Sequence, residues 1–140
     1  MRFTDRVVVV IGGTSGIGRA AAERFSREGA TVVVASRREQ THEPVSAIGE
    51  RVSFVKADVS NREEIDALFA HTASVHGRLD VMVNCAGLVV VAPTMSVTER
   101  HWQRTIDINM NGVFRACQAA IPYLRDTISR GLAAQASRVR

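Results

Sequence analysis

The sequence is poor in the features that would place a protein in a membrane or in an oxidising compartment. Its apolar runs are far shorter than the roughly 20 residues that cross a bilayer, and no apolar signal-peptide segment follows Met1. The two cysteines, Cys85 and Cys117, lie far apart in apolar stretches, which favours buried thiols over a disulfide. We therefore expect a cytoplasmic protein with no membrane partner.

Lysine and clustered positive charge are also scarce. Lys56 is the only lysine among 18 basic residues, and Arg37–Arg38 is the only adjacent basic pair. Nucleic-acid-binding proteins usually concentrate positive charge on one element or face. We therefore interpret the net charge of +4 as a solvated surface and expect no nucleic acid as a partner.

The histidines do not predict a metal site. No spacing relative to cysteines or carboxylates matches a known ligand pattern for any of His42, His71, His76 and His101. No metal is expected.

What the sequence does contain is an alternation of strand and helix patterns. Buried strands are predicted by apolar, β-branched runs at Val7–Ile11, Thr31–Ala35, Val52–Val55 and Leu79–Val83. One helix is expected from about Ile17 to Glu28, and another from an Asn61 cap to a stop at Gly77. The stretch Arg37–Glu50 predicts at most one short helix. This alternation predicts an α/β fold of the Rossmann type, a doubly wound parallel sheet with strand order 3-2-1-4.

Helical spacing also predicts which side chains face the core. The first helix is expected to bury Ile17, Ala20, Ala21 and Phe25, and the second Ile65, Leu68, Phe69 and Thr72. The segment Ser96–Glu99 matches a capping box and opens a long helix, with a bend predicted at Gly112. Its apolar stripe is Trp102, Ile106, Val113, Cys117, Ala120, Ile121 and Leu124. Because the composition changes after Leu124, we expect a nucleotide-binding domain over 1–124 and an atypical tail, helical or frayed, over 125–140.

A glycine-rich turn follows the first strand. Gly12 permits a tight turn, Gly16 lets backbone approach a pyrophosphate, and Gly18 allows close packing of helix on strand. The N–H groups and dipole at the helix start favour phosphate charge, so we predict dinucleotide binding over a merely structural turn. The predicted loop is completed by Thr14, Ser15 and Ile17.

The spacing Gly12, Gly16 and Gly18 resembles the Thr-Gly-x-x-x-Gly-x-Gly motif of the short-chain dehydrogenase/reductase family, with Ile11 in place of the threonine. Further segments match that family in the same order: Asp58-Val59, Asn84-Cys85-Ala86-Gly87 and Asp107–Phe114. The resemblance implies that Asp58 lies near the adenine, and that the cofactor is also bound by Val59, Asn84, Ala86 and Gly87. Each match alone has an ordinary structural explanation, but four in register over the chain are specific.

The end of the second strand bears on the choice of cofactor. NAD-binding sites usually place a carboxylate there for the ribose 2′-hydroxyl, whereas arginine accommodates a 2′-phosphate. Here Ser36 takes the place of the acid, and Arg37 and Arg38 follow. The sequence favours NADP over NAD, although two exposed loop charges would look the same.

The resemblance implies hydride transfer between nicotinamide and a carbonyl or alcohol, but most of the expected catalytic groups are missing. In that family a serine, a tyrosine and a lysine four residues later act on the substrate, and an asparagine, matched by Asn109, completes a proton relay. A phenol with a pKa of about 10 needs a nearby cation to act as a base at neutral pH. Here Tyr123 is followed four residues later by Thr127, and no lysine follows Lys56. Tyr123 is therefore interpreted as a packing residue.

Three hypotheses agree with these features. The chain is the cofactor-binding portion of such an oxidoreductase, truncated naturally or by a frameshift and inactive alone; or a nucleotide-binding or interaction module; or a product without function. Its partners would be a small carbonyl or alcohol substrate and, through the long helix, a second copy or a relative. The fourth strand would be an unpaired sheet edge, which invites association.

Overall fold

A computed structural model describes residues 1–39 and 44–137. Its sheet has four parallel strands: β1 (Val7–Ile11), β2 (Thr31–Ser36), β3 (Val52–Lys56) and β4 (Val81–Asn84). Their order is β3-β2-β1-β4, which confirms the predicted doubly wound topology. The fourth strand begins two residues later than predicted and ends one residue later.

The sheet is buried on both faces at its centre. Val9 of β1 lies opposite Val33 of β2 on one side and Met82 of β4 on the other. The helices are α1 (Gly16–Arg27), α2 (Arg62–His76), α3 (Glu99–Ile106) and α4 (Gly112–Ser137). One face packs on α2 and α4, and the other on α1 and a 3₁₀ turn at Val45–Ile48. Valine at four of the five positions of β1 and three of the six positions of β2 suits such a two-sided core.

The second helix is built as its sequence predicts. Asn61 Oδ1 accepts hydrogen bonds from the N–H groups of Glu63 and Glu64, at 3.0 and 3.2 Å. Gly77 ends the helix in the left-handed conformation, with φ of 72°. The four predicted core residues of this helix are all buried.

The first helix presents a different face from the predicted one. Ile17 is 83% exposed, while Gly18 and Ala22 are buried against the sheet. A Cβ atom at Gly18 would lie 2.2 Å from the Gly12 carbonyl oxygen. Because the helix comes this close to β1, only small residues fit the contact, and the larger Ile17 points outward.

The long helix differs from the prediction at its start. The N-cap is Thr98, whose Oγ1 accepts from the His101 N–H at 3.2 Å, and Ser96 instead lies in a 3₁₀ turn at Thr94–Ser96. The predicted capping box is therefore wrong. The helix is also interrupted by a π-helical segment at Asp107–Asn111, directly before the predicted bend at Gly112.

This interruption changes which side chains of the long helix reach the core. The extra residue of a π turn rotates the rest of the helix relative to an unbroken α-helix. Beyond the π segment, the predicted core residues Val113 and Ile121 are exposed, whereas Ala116 and Ala119 are buried together with the predicted Ala120. Trp102, which precedes the interruption, is exposed as well. Tyr123 is partly buried against the core, as a packing residue would be. The predicted domain boundary at residue 124 falls inside α4.

Two further details concern the cysteines and one histidine. Both cysteines are free thiols, and they are partly rather than fully buried. His42 lies outside the described residues.

Candidate nucleotide-binding site

A cleft lies at the carboxyl ends of the strands, where β1 separates the two halves of the sheet. It is formed by the loops after all four strands and by the π-helical segment. It is lined by Ile11, Gly12, Thr14, Ser15, Ser36, Arg37, Arg38, Ala57, Asp58, Val59, Cys85, Ala86, Gly87 and Ile108. In open α/β sheets, this switch point is where ligands bind.

The glycine loop is packed tightly against the loop after β4. Gly12 has φ of 76°, and a Cβ atom there would lie 2.6 Å from the Ala86 nitrogen. Gly16 has φ of 51° and would place a Cβ atom in open space, with nothing within 4 Å. The loop backbone is therefore fixed against the β4 loop and is free of side chains at Gly16.

The start of α1 is arranged to receive an anion. Its N-cap, Ser15, is extended and makes no side-chain capping bond, so it leaves the N–H groups of the first turn to a ligand. Beside it, the buried Thr14 donates from Oγ1 to Ser36 Oγ at 3.4 Å. This links the glycine loop to the end of β2.

The end of β2 contributes positive charge to the cleft. Ser36 Oγ donates a short hydrogen bond to the Arg38 carbonyl oxygen, which turns the chain after the strand. Arg37 and Arg38 are exposed, and both line the cleft. Asp58, on the neighbouring β3 loop, is the lining residue that carries a carboxylate.

That carboxylate is held in place by its own loop. Asp58 Oδ1 accepts from the N–H and the hydroxyl of Ser60, at 2.9 and 2.7 Å. The Asp58 N–H donates to Glu64 Oε2 on α2 at 2.9 Å. Together with the buried Val59, this turn forms a fixed wall of the cleft.

Asn84 and Asn109 brace the cleft from outside its lining. Asn84 Oδ1 accepts from the Ala86 N–H at 3.0 Å and so shapes the turn after β4. Asn109 Oδ1 accepts from the Leu88 N–H, and its Nδ2 donates to the Leu88 carbonyl oxygen, both at 2.8 Å. The Asn109 carboxamide is thus committed to the loop backbone.

The carboxyl groups of Asp107 and Asp80, both outside the lining, have perturbed pKa values. The hydrogen bond from Arg115 outweighs desolvation and, with Asn111, holds the pKa of Asp107 below its usual value. At the opposite end of the sheet, burial alone would raise the pKa of Asp80. Hydrogen bonds from Arg78, the Val7 N–H and Arg6 outweigh that effect and lower it.

Most of the sequence-predicted site residues come together in the cleft. Those that line it are Gly12, Thr14, Ser15, Ser36, Arg37, Arg38, Asp58, Val59, Ala86 and Gly87. Those outside the lining are Gly16, Ile17, Gly18, Asn84 and Asn109. Ile11, Ala57, Cys85 and Ile108 also line the cleft and were not predicted as site residues. Ala57 could have been found as the neighbour of Asp58, and the other three lie inside the segments that match the family.

Over residues 1–39 and 44–137, no helix is both long and apolar enough to cross a bilayer. The same residues contain no group of three or more histidine, cysteine or acidic side chains able to hold a metal ion.

A parallel sheet of this strand order, with a glycine loop and a helix start at its switch point, defines an α/β domain of the Rossmann type. The sequence profile of the short chain dehydrogenase family matches residues 6–135. The chain belongs to the short-chain dehydrogenase family.

Its relatives include a 3beta-hydroxysteroid dehydrogenase of Mediterraneibacter gnavus, 40% identical over 129 residues, with 89% of this chain and 47% of that protein covered. A Mycobacterium tuberculosis reductase of a 5-hydroxy-7a-methyl-1-oxo-hexahydroindene-carboxyl-CoA is 40% identical over 131 residues, with 90% of this chain and 50% of that protein covered. A solved short chain dehydrogenase from Mycobacterium smegmatis superposes with a TM-score of 0.80 at 35% identity, with 86% of this chain and 53% of that chain covered. The chain thus spans about half the length of the relatives it matches.

Proposed function

We propose that this chain binds NADP(H) in the cleft and is the cofactor-binding portion of an oxidoreductase that interconverts carbonyls and alcohols. The observation that carries the proposal is the joint position of the glycine loop, the open start of α1 and the Arg37–Arg38 pair around one cleft. When bound, the nicotinamide supplies or accepts a hydride.

The preference for NADP is supported by charge. A 2′-phosphate favours guanidinium groups, and Arg37 and Arg38 lie at the end of β2 without a carboxylate at Ser36. The pyrophosphate would take the N–H groups at Gly16–Gly18 and the hydroxyl of Ser15. Adenine would lie beside Asp58 and Val59, and the nicotinamide half toward Ala86 and Gly87.

The substrate side is apolar. The loop after Gly87 exposes Val89, Val91 and Met95, at 81%, 92% and 98% of their surfaces. Two relatives act, by their names, on fused-ring compounds, a steroid and an indene derivative. A bulky alicyclic ketone or alcohol therefore suits this loop better than a small polar one.

The chain alone is proposed to be inactive. Tyr123 is partly buried against the hydrophobic core, and no lysine follows it in the sequence, so it lacks the cation that a phenol needs to act as a base. Asn109, predicted as a relay group, has its carboxamide occupied by Leu88. We propose that it positions the loop instead.

A second copy is the proposed partner of α4, and the cytoplasm the proposed location. The π segment and α4 together expose an outward apolar stripe, Met110, Phe114, Ile121, Ile128 and Leu132. Met110 and Leu132 lie equally far along the chain from Ile121, as do Phe114 and Ile128. In an antiparallel dimer with its two-fold axis at Ile121, Met110 of one copy would therefore pair with Leu132 of the other, and Phe114 with Ile128. An isologous interface pairs residues in this reciprocal way.

Titration of the purified chain with NADPH and NADH, followed by nicotinamide fluorescence, tests the cofactor proposal. We expect saturable binding, tighter for NADPH. No saturation with either would contradict it and favour a product without function. Turnover of cyclohexanone with NADPH by the chain alone would contradict inactivity.

A further inference from the structure

The guanidinium of Arg115, which does not line the cleft, joins the two segments that form one of the cleft's walls. Its Nη1 donates to the Val59 carbonyl oxygen at 3.3 Å and to the Asp107 carbonyl oxygen at 3.4 Å, and its Nη2 donates to Asp107 Oδ1 at 2.7 Å. Val59 belongs to the β3 loop, and Asp107 opens the π-helical segment. One side chain therefore ties two separate elements together.

Both tied elements send a side chain into the cleft. Val59 and Ile108, the residue after Asp107, line it, and they are 5% and 8% exposed. The residue after the π segment also lies close to the β3 loop, because a Cβ atom at Gly112 would lie 2.9 Å from Val59 Cγ2. The position of this wall is thus set by the Arg115 contacts together with the fit of Gly112 on Val59.

The wall faces the adenine half of a bound dinucleotide. In NADP the 2′-phosphate is on the adenosine ribose, and Arg37 and Arg38 stand at the end of β2. The strand next to β2 on that side is β3. The base attached to that ribose therefore meets the residues that follow β3 and the neighbouring Ile108.

We infer that Arg115 is a positioning residue for the cofactor, acting through Val59 and Ile108 to set the wall against which adenine packs. This inference rests on the proposed function. Arg115 does not line the cleft, so it acts without touching the cofactor. Its planar fork reaches a carbonyl and a carboxylate at once, whereas a lysine ammonium is a single point charge without that fork.

The test uses the full chain with Arg115→Met and Arg115→Lys, and three probes: NADPH, adenosine 2′,5′-bisphosphate and reduced nicotinamide mononucleotide. Arg115→Met is expected to raise Kd about tenfold for both adenine-containing probes, by the same factor, as for one lost charge-assisted contact. Arg115→Lys should raise Kd for the same two probes by a smaller factor. Binding of the mononucleotide should not change.

The matched control is Arg62→Met. Arg62 is also an arginine in an ion pair, with Asp66 at 2.8 Å, and it too joins two elements, since its Nη1 donates to Gln118 on α4; its hydrogen bonds involve neither Val59 nor Asp107. Its Kd values should equal those of the unmodified chain. If Arg115→Met does not fold, Asp107→Asn removes the carboxylate and should give a smaller loss, about threefold, with the same pattern across probes.

The outcomes separate the two ideas. Unchanged Kd for both adenine-containing probes in a folded Arg115→Met or Asp107→Asn chain would overturn the inference and leave the proposed function intact. An equal loss for all three probes would also overturn it, because that indicates general damage. Absence of NADPH binding by the unmodified chain would refute the proposed function itself, and the inference with it.

Discussion

The carboxamide of Asn109 forms a pair of hydrogen bonds with the backbone of Leu88, one accepted and one donated, each 2.8 Å long. The two residues belong to the π-helical segment and to the loop after β4. The pair satisfies both backbone groups of Leu88 and fixes where the substrate-side loop leaves the sheet.

Asn109→Ala should therefore free this loop without unfolding the sheet. Both bonds are solvent-accessible, so we expect a loss of about 1–2 kcal/mol in unfolding free energy and faster proteolysis within 88–97. Urea unfolding and limited proteolysis measure the two effects. Asn111→Ala, which removes only a 3.3 Å bond to Asp107, is the control. Equal proteolysis of the two variants would show that the Leu88 contact does not hold the loop.

Glycines of the first loop should differ sharply in tolerance to alanine. Gly18→Ala forces a methyl group to 2.2 Å from a backbone oxygen and should cost about 3 kcal/mol. Gly16→Ala meets open space and should cost only about 1 kcal/mol, for its positive φ. Gly131→Ala in α4 is the control and should stabilise by about 0.5–1 kcal/mol. Chemical denaturation gives all three values, and similar losses at Gly16 and Gly18 would contradict this packing.

Ser36→Asp should shift cofactor preference toward NADH. The new carboxylate would repel a 2′-phosphate and accept a bond from a 2′-hydroxyl. We expect the ratio of Kd for NADPH to Kd for NADH to rise at least about tenfold, measured by fluorescence titration. Ser53→Asp adds the same charge on the exposed side of β3, outside the cleft lining, and should leave the ratio unchanged. An unchanged ratio in Ser36→Asp would argue against a 2′-site at the end of β2.

Asp80 should make stability depend on pH in the acid range. Its pKa is lowered in the folded chain by hydrogen bonds from Arg78, Val7 and Arg6, which outweigh burial. Its contribution is therefore complete above the unfolded-state pKa of about 3.9 and is lost as pH falls through the lower folded value.

Asp80→Asn should accordingly cost about 2 kcal/mol at pH 7 and progressively less below about pH 4. Urea unfolding across pH 2.5–7, a range chosen around that value, measures the difference. Asp66→Asn, in an exposed pair with Arg62, should change stability by less than about 0.5 kcal/mol throughout. A cost for Asp80→Asn that does not change with pH would contradict the assignment.

Self-association is expected through the outward stripe of α4. Ile121, at its centre, is 49% exposed, and a charge there would be desolvated at every copy–copy contact. Ile121→Glu should raise the dimer dissociation constant at least about tenfold in sedimentation equilibrium. Val75→Glu, at a 58% exposed site on α2, is the control. A monomer at all concentrations for the unmodified chain would refute pairing through this helix.

The centre of the sheet was predictable from sequence because β1 and β2 are runs of mainly buried, mostly β-branched residues, as at Val7–Ile11. The glycine loop was also predictable from the sequence, because the positive φ at Gly12 and the close contact at Gly18 disfavour any residue with a Cβ atom. Asn61 and Gly77 marked the ends of α2 because their contacts are local.

The predictions that failed depend on contacts between distant parts of the chain. Periodicity places Ile17 inside, but the closeness of α1 to β1 reserves that position for Gly18. A regular helical period also misplaced Val113 and Ile121, because the π segment that ends before Gly112 shifts the helical register. Arg115 was overlooked since its partners lie 56 and 8 positions away.

The fit of Gly12 against the peptide between Cys85 and Ala86 has a consequence for chimeras made within this family. A Cβ atom at Gly12 would lie only 2.6 Å from the Ala86 nitrogen, so neither loop can change its path alone. A first loop grafted from a homologue will seat only if the segment after the fourth strand is transplanted along with it, so these two stretches should be exchanged as one cassette.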